Sequence, residues 1–207
     1  MERLYKGIHK FQSSHFKRKE EFFRRLSTHQ KPEVLFITCS DSRVDPNLVT
    51  QSRPGDLFIV RNVGNIVPPH NAMRDRNSIA AALEFAVLEL KVADIIVCGH
   101  SNCGAMQMLN KSDAALLDMP HVREWVRLAE PVRLIVERYY GGTAGETRER
   151  ITEKENVLAQ LRNLESYPFI DKALTDGTIR LHGWYYEIGT GKILIYNPVS
   201  DEFEATT

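Results

Sequence analysis

Val34-Leu35-Phe36-Ile37-Thr38 is an apolar run with no polar alternation, and Cys39-Ser40-Asp41-Ser42-Arg43 follows it directly. A strand buried on both faces reads this way. Asp94-Ile95-Ile96-Val97-Cys98 repeats the pattern and runs into Gly99-His100-Ser101-Asn102-Cys103-Gly104. Two buried strands thus end in side chains that ligate soft or borderline metals. Between them lie a turn at Arg53-Pro54-Gly55-Asp56, another apolar run over 57–60 that is the second strand of the chain, and an apolar helix over 78–90 with Ser78 as its N-cap. Strands alternating with helices predict a mostly parallel sheet covered on both faces.

Downstream, the pattern predicts a helix over 102–109 and long helices over 119–140 and 146–167, the last two separated by Gly141-Gly142-Thr143-Ala144-Gly145. A fourth strand follows over 179–188. Gly189-Thr190-Gly191 then signals a hairpin into an antiparallel edge strand over 192–197. The expected class is α/β: about four parallel strands plus one antiparallel edge strand, flanked by helices, in a single domain over 1–207. Alternating signs over 148–155 read as a solvated helix face. Upstream, Leu4, Ile8, Phe11, Phe16, Phe22, Phe23 and Leu26 recur near helical spacing. This N-terminal arm, residues 1–27, cannot bury its own aromatic stripe, so it lies on the body of the domain or on a second subunit.

Composition excludes several functions. The chain has 207 residues, with hydrophobic side chains at 43% and charged ones at 26%, enough for a core. Lys plus Arg equals Asp plus Glu at 27 each, which provides no basic footprint for nucleic acid. No apolar run approaches the roughly 18–20 residues of a membrane span. The first residues lack the apolar stretch of a secretory signal. Three cysteines do not make a disulfide framework, so a reducing cytoplasm is the expected compartment.

Ligands of open α/β sheets bind beyond the carboxyl ends of the strands. If the first and third strands are neighbours, Cys39 and His100 face each other there, with Cys103 at the next helix start. Two thiolates and one imidazole suit zinc, and three protein ligands leave the open fourth position of a catalytic site. Cys98, inside its strand, reads as an inert core thiol. Asp41 stands two residues beyond Cys39, and Arg43 can pair with it in a bidentate fork that keeps it ionised and off the metal.

Cys39-Ser40-Asp41-Ser42-Arg43 and His100-Ser101-Asn102-Cys103-Gly104 resemble the two signatures of the β-carbonic anhydrases. The likeness extends through Arg61-Asn62-Val63-Gly64-Asn65, Val67-Pro68-Pro69 and Ala81-Ala82-Leu83-Glu84-Phe85. It implies one Zn²⁺ per chain on Cys39, His100 and Cys103, and reversible hydration of carbon dioxide to bicarbonate and a proton. The zinc-bound hydroxide would attack, oriented by the Asp41–Arg43 dyad. Asp41 becomes a fourth ligand in the closed state some members show. The resemblance also assigns Gln30, Phe58, Val63, Phe85 and Gly104 to the substrate pocket, placed at a subunit interface. A homodimer is then the smallest unit, assembled into a tetramer or larger. Phe85 stands where tyrosine is common. Phe36 replaces the tryptophan of the bicarbonate-inhibited subgroup, so that subgroup's regulatory site is expected to be missing.

Glu2-Arg3-Leu4 and Phe11-Gln12-Ser13-Ser14 look closest to the cyanobacterial carboxysomal branch, which implies carboxysome proteins as partners. That branch usually carries a longer tail than the one ending here at Thr207. Two rivals share these residues: hydrolysis of another linear molecule such as carbon disulfide, and a silent zinc-holding scaffold. The dyad argues against the second, because a structural site needs neither member.

Overall fold

The computed structural model describes residues 1–72 and 77–205. Strands β1 (Val34–Cys39), β2 (Leu57–Asn62), β3 (Asp94–His100) and β4 (Arg180–Glu187) are parallel neighbours in the order β2-β1-β3-β4. Two antiparallel strands, β5 (Lys192–Asn197) and β6 (Glu202–Ala205), complete the six-stranded sheet. The first five match the expected strands. The sixth was not anticipated, because Glu202-Phe203-Glu204-Ala205 is short, polar and held only at the sheet edge.

Nine α-helices are found among the described residues, and proline sets several of their bounds. An arm of α1 (Glu2–Lys10), a wider turn at Phe11–Phe16 and α2 (Glu20–Leu26) precedes the sheet. α3 (Pro46–Thr50) starts on Pro46, with the Asp45 carboxylate accepting Leu48 N–H at 3.2 Å. α4 (Ser78–Glu84) is capped by Asn77, not Ser78. The Asn77 side-chain Oδ1 accepts from the N–H groups of Ile79 and Ala80, which puts Ser78 inside the first turn. α5 spans Gly104–Leu109. The helix expected over 119–140 is broken into α6 (Pro120–Val126), a tight turn at Arg127–Ala129, and α7 (Glu130–Tyr140). Pro131 explains the break, since it has no N–H to donate and its ring obstructs the preceding turn. α8 (Gly145–Glu165) and α9 (Pro168–Thr175) follow, the latter again opened by a proline.

Alternate residues of β1 and β3, Leu35, Ile37, Ile95 and Val97, pack against Ile79 and Leu83 of α4, Val157 and Leu164 of α8, and Ile170 of α9. The other cluster of strand residues is Phe36, Ile96 and Cys98, joined by Val34, Leu57, Ile59, Trp184 and Tyr186. No helix residue joins it among the described residues, so the cover expected on both faces is uneven. The arm is packed down only at its end, where Leu26 lies against Gly55 and Arg53 sits over the Phe22 ring. α1 buries none of its residues, and Leu4, Ile8 and Phe11 are 54%, 54% and 43% exposed. Phe11, Phe16 and Phe23 cluster on one another, with Phe23 stacked on Phe16 and edge-on to Phe11.

The register places the site. β1 pairs with β3 from Val34–Asp94 to Thr38–Cys98, so Cys39 and His100 emerge at the same, carboxyl end of neighbouring strands. α8 crosses β3 closely at this end. A Cβ on Gly99 would lie 2.7 Å from Val157 Cγ2, so only glycine admits the helix there.

Candidate metal centre

Cys39, His100 and Cys103 are buried, and their ligand atoms all lie within 4.8 Å of one another. A tetrahedral zinc with Zn–S about 2.3 Å and Zn–N about 2.0 Å separates such atoms by roughly 3.5–3.8 Å, so a small contraction suffices. The His100 ring is oriented for this use. Nδ1 lies 3.0 Å from the Ser101 carbonyl, to which it donates, and Nε2 is buried without a hydrogen-bond partner. The tautomer follows from that bond and leaves the Nε2 lone pair aimed at the two sulfurs. An orphaned imidazole nitrogen beside two thiols is the mark of a group that a metal completes.

The two sulfurs share a proton. The Cys103 thiol donating to Cys39 lowers the pKa of that sulfur, against burial, and the Gly64 N–H acts in the same direction. Gly64 N lies 3.4 Å from Cys39 Sγ. Cys103 is pushed up, first by keeping the shared proton and then by burial, while the Ala105 and Met106 N–H groups at the start of α5 oppose this. A cation bound between them would displace the shared proton and take both sulfurs as thiolates. Cys98 behaves as expected of a core thiol: burial pushes it up to about 12.

Asp41 and Arg43 form the expected fork. Arg43 Nε and Nη2 donate to the two carboxylate oxygens at 2.9 and 2.7 Å, and Arg43 N adds a third bond at 2.9 Å. These bonds hold the Asp41 carboxyl well below the usual carboxylate range. Asp41 Oδ2 is 3.9 Å from His100 Nε2, beside the ligand cluster. Arg61 anchors the same turn from below, donating to the Cys39 carbonyl at 3.2 Å and the Asp41 carbonyl at 2.7 Å.

The pocket residues divide into two groups. Val63 lies in the loop after β2, 43% exposed, with its carbonyl held by Trp125 Nε1 at 2.7 Å. Gly104 starts α5, and a Cβ there would meet nothing within 4 Å, so it does not tighten the backbone around the ligands as Gly99 does. Gln30, Phe58 and Phe85 are elsewhere. Phe58 pairs with Leu35, whereas Asn62 pairs with Cys39, which puts Phe58 about 13 Å back along the sheet at roughly 3.3 Å per residue. Phe85, 44% exposed, packs on Phe58 at 5.9 Å, and exposed Gln30 precedes β1 at that same end. One chain does not bring these three to the metal ligands.

Sequence reading missed a polar stripe on α8. The stretch over 148–155 is not a uniformly solvated face, because Thr152 and Glu153 are buried. Glu153 accepts Cys103 N–H at 2.7 Å and Tyr185 O–H at 2.7 Å. Asn156 donates to the Gly64 carbonyl, Gln160 accepts from Val67 N–H, Asn163 donates to the Val67 carbonyl, and Tyr167 donates to the Pro68 carbonyl. Positions 153, 156, 160, 163 and 167 follow the 3–4 spacing that normally marks an apolar seam. Here the seam is polar because its partners are the backbone groups of the irregular loop beside the site, which need bonds once buried. That spacing of polar residues was the available signal.

A parallel sheet of this order, with a Cys-His-Cys cluster at its carboxyl end and an Asp–Arg fork beside it, defines a zinc-type enzyme centre of the β-carbonic anhydrases. A family model for carbonic anhydrase matches residues 34–193, and the chain belongs to the β-carbonic anhydrase family, whose reaction is the reversible hydration of carbon dioxide. Among its relatives, the carbonic anhydrase of a Synechocystis species is 44% identical over 205 residues, covering 99% of this chain and 74% of that protein. The carbonic anhydrase of Synechococcus elongatus is 39% identical over 98% of this chain and 74% of its own length. Of solved structures, the β-carbonic anhydrase CcaA superposes with a TM-score of 0.96 at 44% identity, covering 100% of this chain and 99% of the other. A tetrameric β-carbonic anhydrase of the ascomycete Sordaria macrospora superposes at 0.76 with 28% identity, covering 100% and 95%.

Proposed function

We propose that this chain hydrates carbon dioxide at a single zinc held by Cys39, His100 and Cys103, with Asp41 and Arg43 as its orienting dyad. The observation that carries this reading is the unpartnered His100 Nε2 among two sulfurs within 4.8 Å. Zinc bound there supplies an acidified water, and with it a nucleophile near neutral pH. Asp41, ionised and beside the ligand cluster, would accept a hydrogen bond from that nucleophile and so orient it toward the substrate carbon. Arg43 keeps Asp41 ionised and occupies both its oxygens, which holds it off the metal. If the fork opens, Asp41 is the adjacent candidate for a fourth ligand. Zinc content measured together with stopped-flow hydration rates tests the whole reading. An enzyme that hydrates carbon dioxide with no zinc, or holds zinc and hydrates nothing, would overturn it.

The pocket is completed across a subunit boundary. Val63 and Gly104 come from the chain that holds the ligands, and Gln30, Phe58 and Phe85 come from the partner subunit. An apolar wall with one amide suits an uncharged linear substrate. Supporting this, Phe58 and Phe85 form a part-exposed aromatic pair that lines no site in their own chain. The smallest active unit is then a dimer, built further into a tetramer or larger, as in the Sordaria relative. The whole of residues 1–207 serves as one domain, with 1–27 as an arm that covers the neighbour. Covering half of each of five exposed side chains, Leu4, Tyr5, Ile8, Phe11 and Phe16, is worth on the order of 5 kcal/mol. Deleting residues 1–27 is expected to weaken association and to lower the hydration rate together, although no ligand is touched. Light scattering that finds a fully active monomer would contradict the shared pocket.

No described helix is long and apolar enough to cross a membrane. The likeness of the arm to the carboxysomal branch supports placement in the cytoplasm, within carboxysomes and against their proteins. A fluorescent fusion that stays diffuse in a carboxysome-forming host would count against this.

A further inference from the structure

The peptide unit between Asn102 and Cys103 is gripped at both of its polar atoms. Arg43 Nη2 donates to its carbonyl oxygen at 3.0 Å, and Glu153 Oε1 accepts from its N–H at 2.7 Å. The first grip comes from the dyad and the second from α8. Glu153 is itself fixed from the sheet, since Tyr185 O–H donates to Oε2 at 2.7 Å. Glu153, Tyr185 and Cys103 are 2%, 0% and 1% exposed.

We propose that Glu153 is a positioning residue for the metal centre, setting the plane of the Asn102–Cys103 peptide and thereby the place of the Cys103 sulfur. Three observations support this. Burying a carboxylate is costly unless its oxygens are bonded, so what Glu153 contributes here is its two oxygens, one of them given to the Cys103 N–H. The conformation it holds is a tight one: Asn102 has a left-handed φ of +55°, and Cys103 caps a helix of only six residues with no side-chain cap bond. The same peptide carries Arg43, so a tilt at Cys103 also shifts the group that holds Asp41. Sulfur position and dyad are thus registered on one rigid plane. Partners of this kind orient ligands, and their loss typically weakens metal binding 10–100-fold.

The inference rests on Cys103 being a zinc ligand, and zinc binding by the wild-type enzyme tests that reading separately. The test of the inference is a comparison of variants of the full-length enzyme. Glu153→Met fills the same space without an acceptor. It is expected to fold with a lowered thermal midpoint of the zinc-stripped protein, because Cys103 N–H and Tyr185 O–H lose their acceptor, and to release zinc to a chelator 10–100-fold more readily. After cobalt substitution, its thiolate-to-metal absorption bands should be displaced. Glu153→Gln keeps an oxygen for Cys103 N–H, and it should restore both readouts to near wild type. Wild-type zinc retention and unchanged cobalt bands in Glu153→Met overturn the proposal. So does a Glu153→Gln enzyme as weak as Glu153→Met, since the hydrogen bond would then not be what the residue supplies. If Glu153→Met is not recovered folded, Tyr185→Phe carries the test. It keeps the ring, frees Oε2 and is expected to loosen zinc in the same direction, and wild-type retention there rejects the idea.

Discussion

Replacing Cys103 with alanine is expected to leave the protein without zinc and without measurable hydration. The remaining pair, Cys39 and His100, offers two ligands at the ends of neighbouring strands, too few for a stable tetrahedral site. Metal binding is worth roughly 10–16 kcal/mol in zinc peptides, and because it acts on the folded state alone, the variant should also melt earlier. Cys98→Ala is the matching control. That thiol lies among Phe36 and Ile96 inside β3, and its loss should cost core packing but not the metal. Metal analysis after gel filtration, with stopped-flow rates on the same samples, distinguishes the two. Full zinc in Cys103→Ala, or none in Cys98→Ala, would mean that the ligand set has been misassigned.

Asp41→Asn should keep its zinc yet lose roughly 10²-fold or more in turnover, the order of loss that misorientation of reacting groups produces. The amide cannot accept as an anion does, and it gives Arg43 no charge to fork onto. Arg43→Ala should also depress turnover by releasing Asp41 toward the metal, which lies beside it given the 3.9 Å separation from His100 Nε2. The pH dependence has a definite sign. Arg43 depresses the Asp41 carboxyl below its ordinary value near 4, so Asp41 stays ionised throughout the neutral and alkaline range. A fall in rate that belongs to Asp41 should therefore appear only as the pH drops below about 4. Rates equal to wild type in both variants would reduce the fork to a structural ion pair.

Much of this centre was legible in the sequence because its residues sit at the ends of unmistakable strands. The unbroken apolar runs before Cys39 and His100 identify buried parallel strands, and short-range spacing then places Asp41, Arg43 and Cys103. The same local logic puts Cys98 inside its strand, apart from that cluster. What escaped depended on tertiary docking. The run over 148–155 has the sign alternation of a surface, and nothing within it tells that Glu153 turns inward to a backbone N–H donated fifty residues upstream. Strand β6 has no hydrophobic pattern of its own and exists because β5 offers an edge. The break before α7 was readable, since Pro131 was in plain view, but the apolar repeat on both sides outweighed it. The division of the pocket residues between two ends of the sheet follows from register, which the strands' composition does not encode.

The position of the ligands has a kinetic consequence. Cys39 and His100 are sixty-one residues apart, and they meet only when β1 has found β3 past the excursion through β2 and α4. A chain that has not yet closed that loop has no site to offer. A bound ion therefore cannot seed the sheet; it latches a sheet already assembled. Its stabilisation falls on the barrier to opening and leaves the rate of assembly unchanged, so it belongs to the unfolding limb of a chevron and not to the folding limb. Since parallel strands pair slowly as a rule, such an ion would act as a guarantee of persistence rather than as a folding aid.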